Sequence, residues 1–286
     1  MPGHAPSRFQ TDQAFQAKEI ESHLDKQGIA LLPPMEATRC IQIVRDAHIR
    51  PTTTILDPWY NKGVGGVRED YDPFIVELLA LAAQVSQHVF LWGFPEIVAR
   101  FIERIPAPLS LVAWLTWYYK NSPSVIRGWR SSQNACLHLA HPGAKLYPDH
   151  FLNAAQKDLQ AKGKLRYMPG PTSVIEEPLL VGFVGRQEQT GHPSQKPVAV
   201  FEKLIRMTTQ EGDLVLDPMC GSGTAGEAAR RLERLAILSD VSEEYTDMVA
   251  TRLGIVPIGT SKSRGTKRAS PKQKRRKSHV QGALFG

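Results

Sequence analysis

The stretch of residues 192–245 constrains the fold more than any other part of the chain, because it predicts a β-α-β unit. Apolar runs at residues 214–216 and 235–238 have the length and composition of buried strands. Between them lies a glycine turn, Gly221-Ser222-Gly223-Thr224, that opens a helix. Free backbone N–H groups and missing side chains let a ligand come close at such a turn. The stretch therefore predicts an α/β fold with a cofactor bound at the turn.

Helices are predicted on both sides of these strands. Pro197 suits the first position of a helix, and apolar residues follow it at helical spacing. Gly212 is expected to close that helix. After the second strand, Ser242 is expected to cap another helix, with two glutamates in the first turn where the helix dipole favours them.

The residues around the turn bear on the kind of cofactor. Asp240 ends the second strand, where a carboxylate can accept hydrogen bonds from ribose hydroxyls. Three glycines within residues 221–226 also fit the Gly-x-Gly-x-x-Gly pattern of dinucleotide oxidoreductases, which is therefore an alternative. However, Asp217 and Pro218 stand between strand and glycines, where a carboxylate would repel a pyrophosphate and suit an ammonium or sulfonium group. The pattern favours a positively charged cofactor.

These residues resemble a known family. Residues 217–224, DPMCGSGT, resemble the DP-x-x-GSGT signature of amino-directed DNA methyltransferases that use S-adenosylmethionine, and residues 192–197, HPSQKP, resemble the motif that precedes it in the permuted β-class order. In that order an acidic-Pro-Pro-aromatic tetrad comes first, then a target-recognition region. Asp57-Pro58-Trp59-Tyr60 follows the strand-like residues 52–56 in the expected place. The resemblance implies a Rossmann-like methyltransferase sheet with a small recognition insert and a disordered basic C-terminal tail.

The resemblance also implies the site residues. Asp57 and the Pro58 carbonyl would accept the two N–H groups of the target amine, and Tyr60 would stack on a base flipped out of the duplex. Trp59 departs from the family, which usually has a second proline there. No metal is expected. The residues expected to bind S-adenosylmethionine are Gln195, Lys196, Pro197, Asp217, Pro218, Gly221, Ser222, Gly223, Thr224 and Asp240.

The expected activity is methyl transfer to N6 of adenine in double-stranded DNA, because the tetrad opens with Asp rather than Ser. N4 of cytosine is the close alternative, since the two amines present similar geometry. Trp59 leaves a third interpretation open, a non-catalytic DNA- and clamp-binding module derived from such an enzyme. No Pro-Cys dipeptide of C5-cytosine methyltransferases occurs, and the three cysteines show no pairing. A bacterial or phage-encoded protein of the reducing cytoplasm is expected, without a membrane span, because no apolar run approaches about 18–20 residues.

The predicted organisation has five parts: an N-terminal arm (1–30), the catalytic half of the methyltransferase domain (31–141), a target-recognition region (142–189), the cofactor-binding half (190–256) and a basic tail (257–286). Arg68, in a glycine-rich loop after the tetrad, and Arg127 and Arg130 are candidate contacts to DNA phosphates. The family's frequent dimers make a homodimer a further expectation.

The tail carries nine Lys or Arg and no acidic residue, whereas the net charge of the whole chain is +7, so the remainder is slightly acidic. Such a tail is expected to be a disordered arm that binds duplex DNA through phosphates, with the run Lys274-Arg275-Arg276-Lys277 as its densest part. At its end, Gln281, Leu284 and Phe285 resemble the short peptides that dock on the bacterial sliding clamp.

Overall fold

The computed structural model describes residues 17–61, 66–122, 125–126 and 128–259 of the chain. Its centre is an eight-stranded sheet in the order β1-β10-β9-β2-β3-β7-β4-β8, with a small hairpin of β5 and β6 beside it. The strands are β1 (Ile29–Leu31), β2 (Thr53–Leu56), β3 (His88–Gly93), β4 (Ser110–Tyr118), β5 (Val125–Ile126), β6 (Trp129–Arg130), β7 (Gln133–Ala140), β8 (Val174–Glu176), β9 (Leu214–Asp217) and β10 (Leu235–Leu238).

Seven strands of the sheet run in one direction, and only β7 runs against its neighbours β3 and β4. The carboxyl ends of the other seven therefore meet at one edge, which we call the carboxyl edge. Ligands of open α/β sheets bind at this edge because the loops that leave the strands converge there. The register, in which Thr54 of β2 pairs with Leu216 of β9, brings the two predicted motifs side by side at that edge.

Helices cover both faces of the sheet. One core layer holds the apolar sides of α1 to α4, and the other holds those of α6 to α8, so the central strands are buried on both faces. The helices are α1 (Ala17–Gln27), α2 (Ala37–Asp46), α3 (Tyr71–Val85), α4 (Pro95–Val98), α5 (Ala154–Ala161), α6 (Val198–Thr208), α7 (Thr224–Arg231) and α8 (Glu243–Leu253), with 3₁₀ segments at Ala99–Arg104 and Pro148–Phe151.

The predicted α/β fold is confirmed, and the strands predicted at residues 52–56, 214–216 and 235–238 lie within one residue of those bounds, as β2, β9 and β10. One local expectation was wrong. Gly212 does not close α6, which ends at Thr208; it forms the turn before β9, with φ of +80°. Within the predicted N-terminal arm, α1 packs into the core, and β1 directly after it pairs with β10 at the sheet edge.

The folded body also extends slightly beyond the expected start of the tail. Ile258 is buried, and its backbone N–H donates to the Leu31 carbonyl at 2.8 Å. Within the described ranges no helix is both long and apolar enough to cross a membrane.

Candidate active site

A cavity of about 580 Å³ opens at the carboxyl edge. Its lining comes from both predicted motifs and from strands on each side of them. On the β9–β10 side lie residues of the glycine turn and of the loop after β10; on the β3–β8 side lie aromatic and apolar residues. Asp57, at the end of the central strand β2, stands between the two sides.

The centre of the cavity is an ion pair between Asp57 and Lys196. The Lys196 Nζ donates to both carboxylate oxygens of Asp57, at 2.6 and 2.5 Å, and to the Tyr60 hydroxyl at 3.2 Å. The Lys196 side chain is 2% exposed and that of Asp57 19%. Burial opposes the charge of Lys196, but Asp57 and Tyr60 outweigh it and raise the pKa of the ammonium. Lys196, expected beside the cofactor, thus places its ammonium on two residues of the predicted catalytic tetrad, Asp57 and Tyr60.

Tyr60 forms one wall beside this pair. Its ring packs against Phe94 with 4.3 Å between centroids. Burial raises the pKa of the Tyr60 hydroxyl to about 12, with Lys196 opposing that shift and Asp57 adding to it. The hydroxyl is therefore neutral at physiological pH.

Trp59, where the family usually has proline, is accommodated by α3. Its ring packs edge-on against Tyr71 at 5.5 Å and beside Phe74 at 5.9 Å, and its Nε1 donates to the Gly66 carbonyl at 3.2 Å. The Tyr71 hydroxyl donates to the Trp59 carbonyl at 2.8 Å. These contacts fix the backbone that a second proline would otherwise stiffen. Among the described residues, none donates to the Pro58 carbonyl next to it.

The glycine turn meets the loop before α6 at close range. Gly221 has φ of +46°, and a Cβ there would lie 2.9 Å from Nε2 of His192. Gly223 has φ of +76°, and a Cβ there would lie 3.1 Å from Val249. Thr224 begins α7, and its hydroxyl donates to the Lys196 carbonyl at 3.2 Å. The turn and the ion pair are therefore joined through one residue.

Two buried carboxylates line the turn side of the cavity. Asp217 accepts a hydrogen bond from the Met219 N–H at 3.1 Å, and Asp240 accepts from the N–H groups of Gly221 and Ser242, both at 2.9 Å. Burial raises the pKa of Asp217 well above its usual value, against the Met219 hydrogen bond and with the help of other acidic groups nearby. Burial also raises the pKa of Asp240. A positively charged ligand beside Asp217 would favour its ionised form, and hydroxyl donors to Asp240 would do the same there.

Other predicted cofactor residues also line the cavity, namely Gln195, Pro218, Ser222 and Thr224. The Gln195 side chain accepts from Thr190 and donates to the Glu188 carbonyl at 2.7 Å. Pro197 occupies the N-cap position of α6, whereas the sequence predicted it at the first position of the helix. The Glu188 carboxylate accepts the Val198 N–H at 2.6 Å. The hydroxyls of Ser222 and Thr224 are hydrogen-bonded to each other at 2.9 Å.

Several wall residues were not expected from the sequence. They share the β3–β8 side and are contributed by strands that are distant in the chain: Phe94, Trp117, Tyr119, Asn134, Leu179, Leu180 and Val181. Trp117 and Tyr119 are almost fully buried, as expected for core aromatics, yet they also face the cavity. The Oδ1 of Asn134 is buried without a hydrogen-bond partner in the described part of the chain. On the other side, His192 packs against Tyr245 at 4.5 Å, and burial lowers the pKa of His192 to about 4.

The predicted DNA contacts have different surroundings. Arg68 pairs with Asp70 at 2.6 Å and lies over the Phe74 ring, so a phosphate contact would require this pair to open. Arg130 donates to the carbonyls of Lys120 and Ser122, so it braces the base of the β5–β6 hairpin instead of presenting a free guanidinium. Arg127, the basic run of residues 274–277 and the peptide residues Gln281, Leu284 and Phe285 lie outside the described residues.

Solved structures with the same fold extend over most of the chain. The complex of M1.HpyAVI with S-adenosylmethionine has a TM-score of 0.62 at 21% identity, covering 79% of this chain and 100% of that one. The cytosine-N4-specific PvuII DNA methyltransferase has a TM-score of 0.58 at 14% identity, covering 82% of this chain and 91% of that one. At these identities the likeness shows the fold alone.

Sequence relatives cover shorter segments. The type II methyltransferase M.HpaI of Haemophilus parainfluenzae is 32% identical over 142 residues, 49% of this chain and 44% of that protein. The type II methyltransferase M2.DpnII of Streptococcus pneumoniae is 47% identical over 62 residues, 22% of this chain and 23% of that protein. The chain thus spans less than half the length of these relatives.

The family model of the N6/N4 methyltransferases, described as DNA methylase, matches residues 53–251. The match begins at β2, includes the Asp57 tetrad and ends in α8, and it therefore takes in all the residues that line the cavity except Glu36 and Ala37 at the start of α2. The chain belongs to the N6/N4 DNA methylase family.

Proposed function

We propose that the protein transfers a methyl group from S-adenosylmethionine to an exocyclic amine in double-stranded DNA, with N6 of adenine as the target. The observation that carries this proposal is the position of Asp57, between a glycine turn with two buried carboxylates and an aromatic wall. One side suits a positively charged nucleoside, and the other suits a planar base.

The residues of the turn side fit S-adenosylmethionine by their chemistry. Burial raises the pKa of the Asp217 carboxyl, with Asp57 and Asp240 adding to the shift, and a positive ligand beside it would favour the ionised carboxylate. Both oxygens of Asp240 already hold backbone N–H groups, but each retains a lone pair for a ribose hydroxyl. At Gly221 a side chain would collide with His192, so only glycine permits the close approach of the turn to the loop before α6. When bound, S-adenosylmethionine supplies a methyl group activated by the sulfonium.

Asp57 and the Pro58 carbonyl would orient the target amine. The lone pair of an exocyclic amine is delocalised into the ring, so the amine is a weak nucleophile. Two acceptors that hold its two N–H groups direct the remaining lone pair toward the methyl donor, and catalysis is then positioning and electrostatic stabilisation. The Asp57 carboxylate has about four lone-pair sites, so it can accept from the amine while it keeps Lys196. It is also placed to receive the proton that the amine loses once methylated.

The aromatic wall would hold the target base. A base inside a duplex cannot reach Asp57, so it must rotate out of the stack into the cavity. Tyr60 and Phe94 offer apolar ring surface next to Asp57, and Trp117 and Tyr119 lie further along the same wall. The Asn134 amide, whose oxygen lacks a partner, is a polar group on that side for the edge of the base.

The proposal is tested by incubating the protein with isotopically labelled S-adenosylmethionine and mixed-sequence duplex DNA. The DNA is then digested to nucleosides, which are identified by mass spectrometry. We expect label in N6-methyladenine. Label in N4-methylcytosine would keep the mechanism and change the base. Cofactor binding without any labelled nucleoside would support the alternative that Trp59 keeps open, a non-catalytic DNA-binding module.

The close approach at Gly221 gives a prediction for the cofactor side. We expect Gly221→Ala to weaken S-adenosylmethionine binding at least about tenfold, because the new methyl group strains the backbone and presses on His192. The matched control is Gly254→Ala at the end of α8, where φ is +61° and nothing lies within 4 Å of the new Cβ. Both variants carry the backbone strain, so calorimetry should find weaker binding only for the first. Equal affinities would contradict the predicted role of the turn.

We further propose that the C-terminal peptide binds the bacterial sliding clamp, with Gln281, Leu284 and Phe285 as anchors. Deletion of residues 281–286 is expected to abolish co-elution with the clamp and to leave methylation of bare oligonucleotides unchanged. Co-elution that survives the deletion would refute this prediction.

A further inference from the structure

The loop that follows β8 displays an aromatic side chain to solvent. Phe183 is 89% exposed, and Val181 and Val184 beside it are 38% and 37% exposed. An isolated exposed apolar residue is ordinary, but a Phe with two exposed valines forms a small apolar surface that water disfavours. Leu179 and Leu180 of the same loop turn inward, so the loop has a packed side and a displayed side.

Hydrogen bonds hold the loop in this shape. The Asn121 side chain donates to the Leu179 carbonyl at 2.9 Å and accepts the Leu179 N–H at 2.8 Å. At the other end, the Gln189 Nε2 donates to the carbonyls of Gly182 and Val184, at 3.2 and 2.8 Å, on both sides of Phe183. The side chain is therefore presented by a braced backbone instead of being free to collapse onto the surface.

The loop lies at the mouth of the cavity that contains Asp57. Because β8 ends at the carboxyl edge, the loop leaves the sheet there, and Leu179, Leu180 and Val181 line the cavity itself. Phe183 is two residues beyond the last of these. The segment 178–187 has a single charged residue, Arg186, so the segment itself brings no negative charge to a polyanion, although Glu177 and Glu188 flank it.

We propose that Phe183 inserts into the DNA duplex at the position that the target base vacates. This inference rests on the proposed function, since a base that rotates into the cavity leaves a gap in the stack of the duplex. A planar apolar ring fills such a gap, and its stacking on the neighbouring bases offsets part of the stacking energy that the duplex loses with the target base. Phe183 then slows the return of the base and lengthens the time that the amine spends near Asp57.

The test uses the full chain with one linearised plasmid DNA of mixed sequence, either as a duplex or heat-denatured. Phe183→Ala is expected to lower the methylation rate of the duplex at least about tenfold, whereas Phe183→Trp, which keeps a planar ring, should stay within about threefold of the wild type. The matched control is Val112→Ala, an exposed residue near the start of β4 at the opposite edge, which should not change the rate. On denatured DNA, where no partner strand closes over the gap, Phe183→Ala should match the wild type within about twofold.

Two measurements besides activity accompany these rates. Because Phe183 has little packing to lose, the melting temperature and the affinity for S-adenosylmethionine should be unchanged by Phe183→Ala. Light scattering should give the same mass for the variant and the wild type. Loss of a dimer in the variant would assign the side chain to an interface between two copies and overturn the insertion.

The outcomes separate this inference from the proposed function. A wild-type protein that labels no base overturns both. If the wild type is active and Phe183→Ala is equally active on duplex DNA, only the insertion is overturned. An equal loss on duplex and denatured DNA would also overturn it, because the residue would then act on binding in general. If the wild type acts only on duplex DNA, the rates of Phe183→Ala, Phe183→Trp and Val112→Ala on the duplex decide whether the insertion stands. A loss in Phe183→Ala alone supports it, and any other pattern overturns it.

Discussion

Asp57→Ala is expected to lower methyl transfer by at least about 10²–10³-fold and to leave S-adenosylmethionine binding within a few fold of the wild type. The carboxylate is the charged acceptor of the proposed pair that orients the amine, and alanine offers neither an acceptor nor a place for the departing proton. The cofactor side of the cavity is built by other residues, on β9 and β10. Single-turnover rates with mixed-sequence duplex DNA, together with calorimetric titration of the cofactor, measure the two effects separately.

The same substitution should destabilise the fold, because it leaves the Lys196 ammonium buried without its carboxylate. Breaking a buried pair costs about 3–5 kcal/mol, and we expect the lower end of this range because Asp57 is 19% exposed. The double variant Asp57→Ala/Lys196→Met removes the orphaned charge, so it should recover most of the stability and remain inactive. Denaturant unfolding of the two variants measures this difference.

The predicted loss of activity and the predicted recovery of stability can be contradicted separately. Asp57→Ala that retains activity would show that the tetrad is not the catalytic motif. A double variant no more stable than the single one would show that the buried charge is not the cause of the destabilisation. The two experiments thus assign the loss of activity to the missing Asp57 carboxylate and the loss of stability to the unpaired Lys196 ammonium.

The parts of the fold that the sequence predicted well are those in which each residue acts through its neighbours along the chain. Buried strands at 214–216 and 235–238, the glycine turn and the Ser242 cap depend on local composition and backbone conformation. By contrast, β1 consists of three residues, Ile29–Leu31, and becomes a strand only because β10 provides a partner edge. Nothing in so short a run distinguishes it from a loop.

The candidate site was predictable in its motifs and not in its contacts. Lys196 and Asp57 are 139 positions apart, and their contact depends on how the start of α6 lies over the end of β2. The sequence therefore predicted Lys196 only as part of the motif 192–197 beside the cofactor, and not as the partner of Asp57. Similarly, the place of Trp59 is set by Tyr71 and Phe74 in the first turn of α3, 12 and 15 positions along the chain.

The aromatic wall depends even more on tertiary structure. Trp117 and Tyr119 lie on or just after β4, Asn134 lies on β7, and the loop of Leu179 follows β8. These strands are assembled side by side only in the finished sheet. A pattern of alternating burial within one strand cannot tell which of its buried residues will face a cavity, so this wall had no signal in the sequence.

The affinity for S-adenosylmethionine is expected to fall as the pH is lowered from 7 to 4.5. Burial raises the pKa of Asp217 well above its usual value, so the protonated fraction of the free protein grows as the pH decreases. A positive ligand favours the ionised carboxylate, and binding must then release a proton. By linkage, the affinity decreases by up to about tenfold per pH unit below the pKa of the free protein.

Other groups near Asp217 bear on this slope. Asp57 and Asp240 raise its pKa, and Lys196 lowers it. His192 is neutral over most of the range, because burial lowers its pKa to about 4. The α-amino group of the ligand stays protonated throughout, so the ligand contributes little to the dependence.

Asp217→Asn should bind S-adenosylmethionine more weakly than the wild type at pH 7 and lose most of the dependence, so that the two proteins converge at pH 4.5. Asp240→Asn is the contrasting variant, since the ribose hydroxyls that Asp240 is proposed to bind are neutral. Its affinity should be lower at every pH, while the dependence on pH persists.

Titration in two buffers of different ionisation enthalpy measures the protons released. S-adenosylhomocysteine, which lacks the sulfonium charge, distinguishes the source of the coupling: an unchanged slope would indicate that Asp217 responds to the ammonium group, and a lost slope would indicate the sulfonium. A wild-type affinity that is constant over this range would contradict the assignment of Asp217 to the positive part of the cofactor.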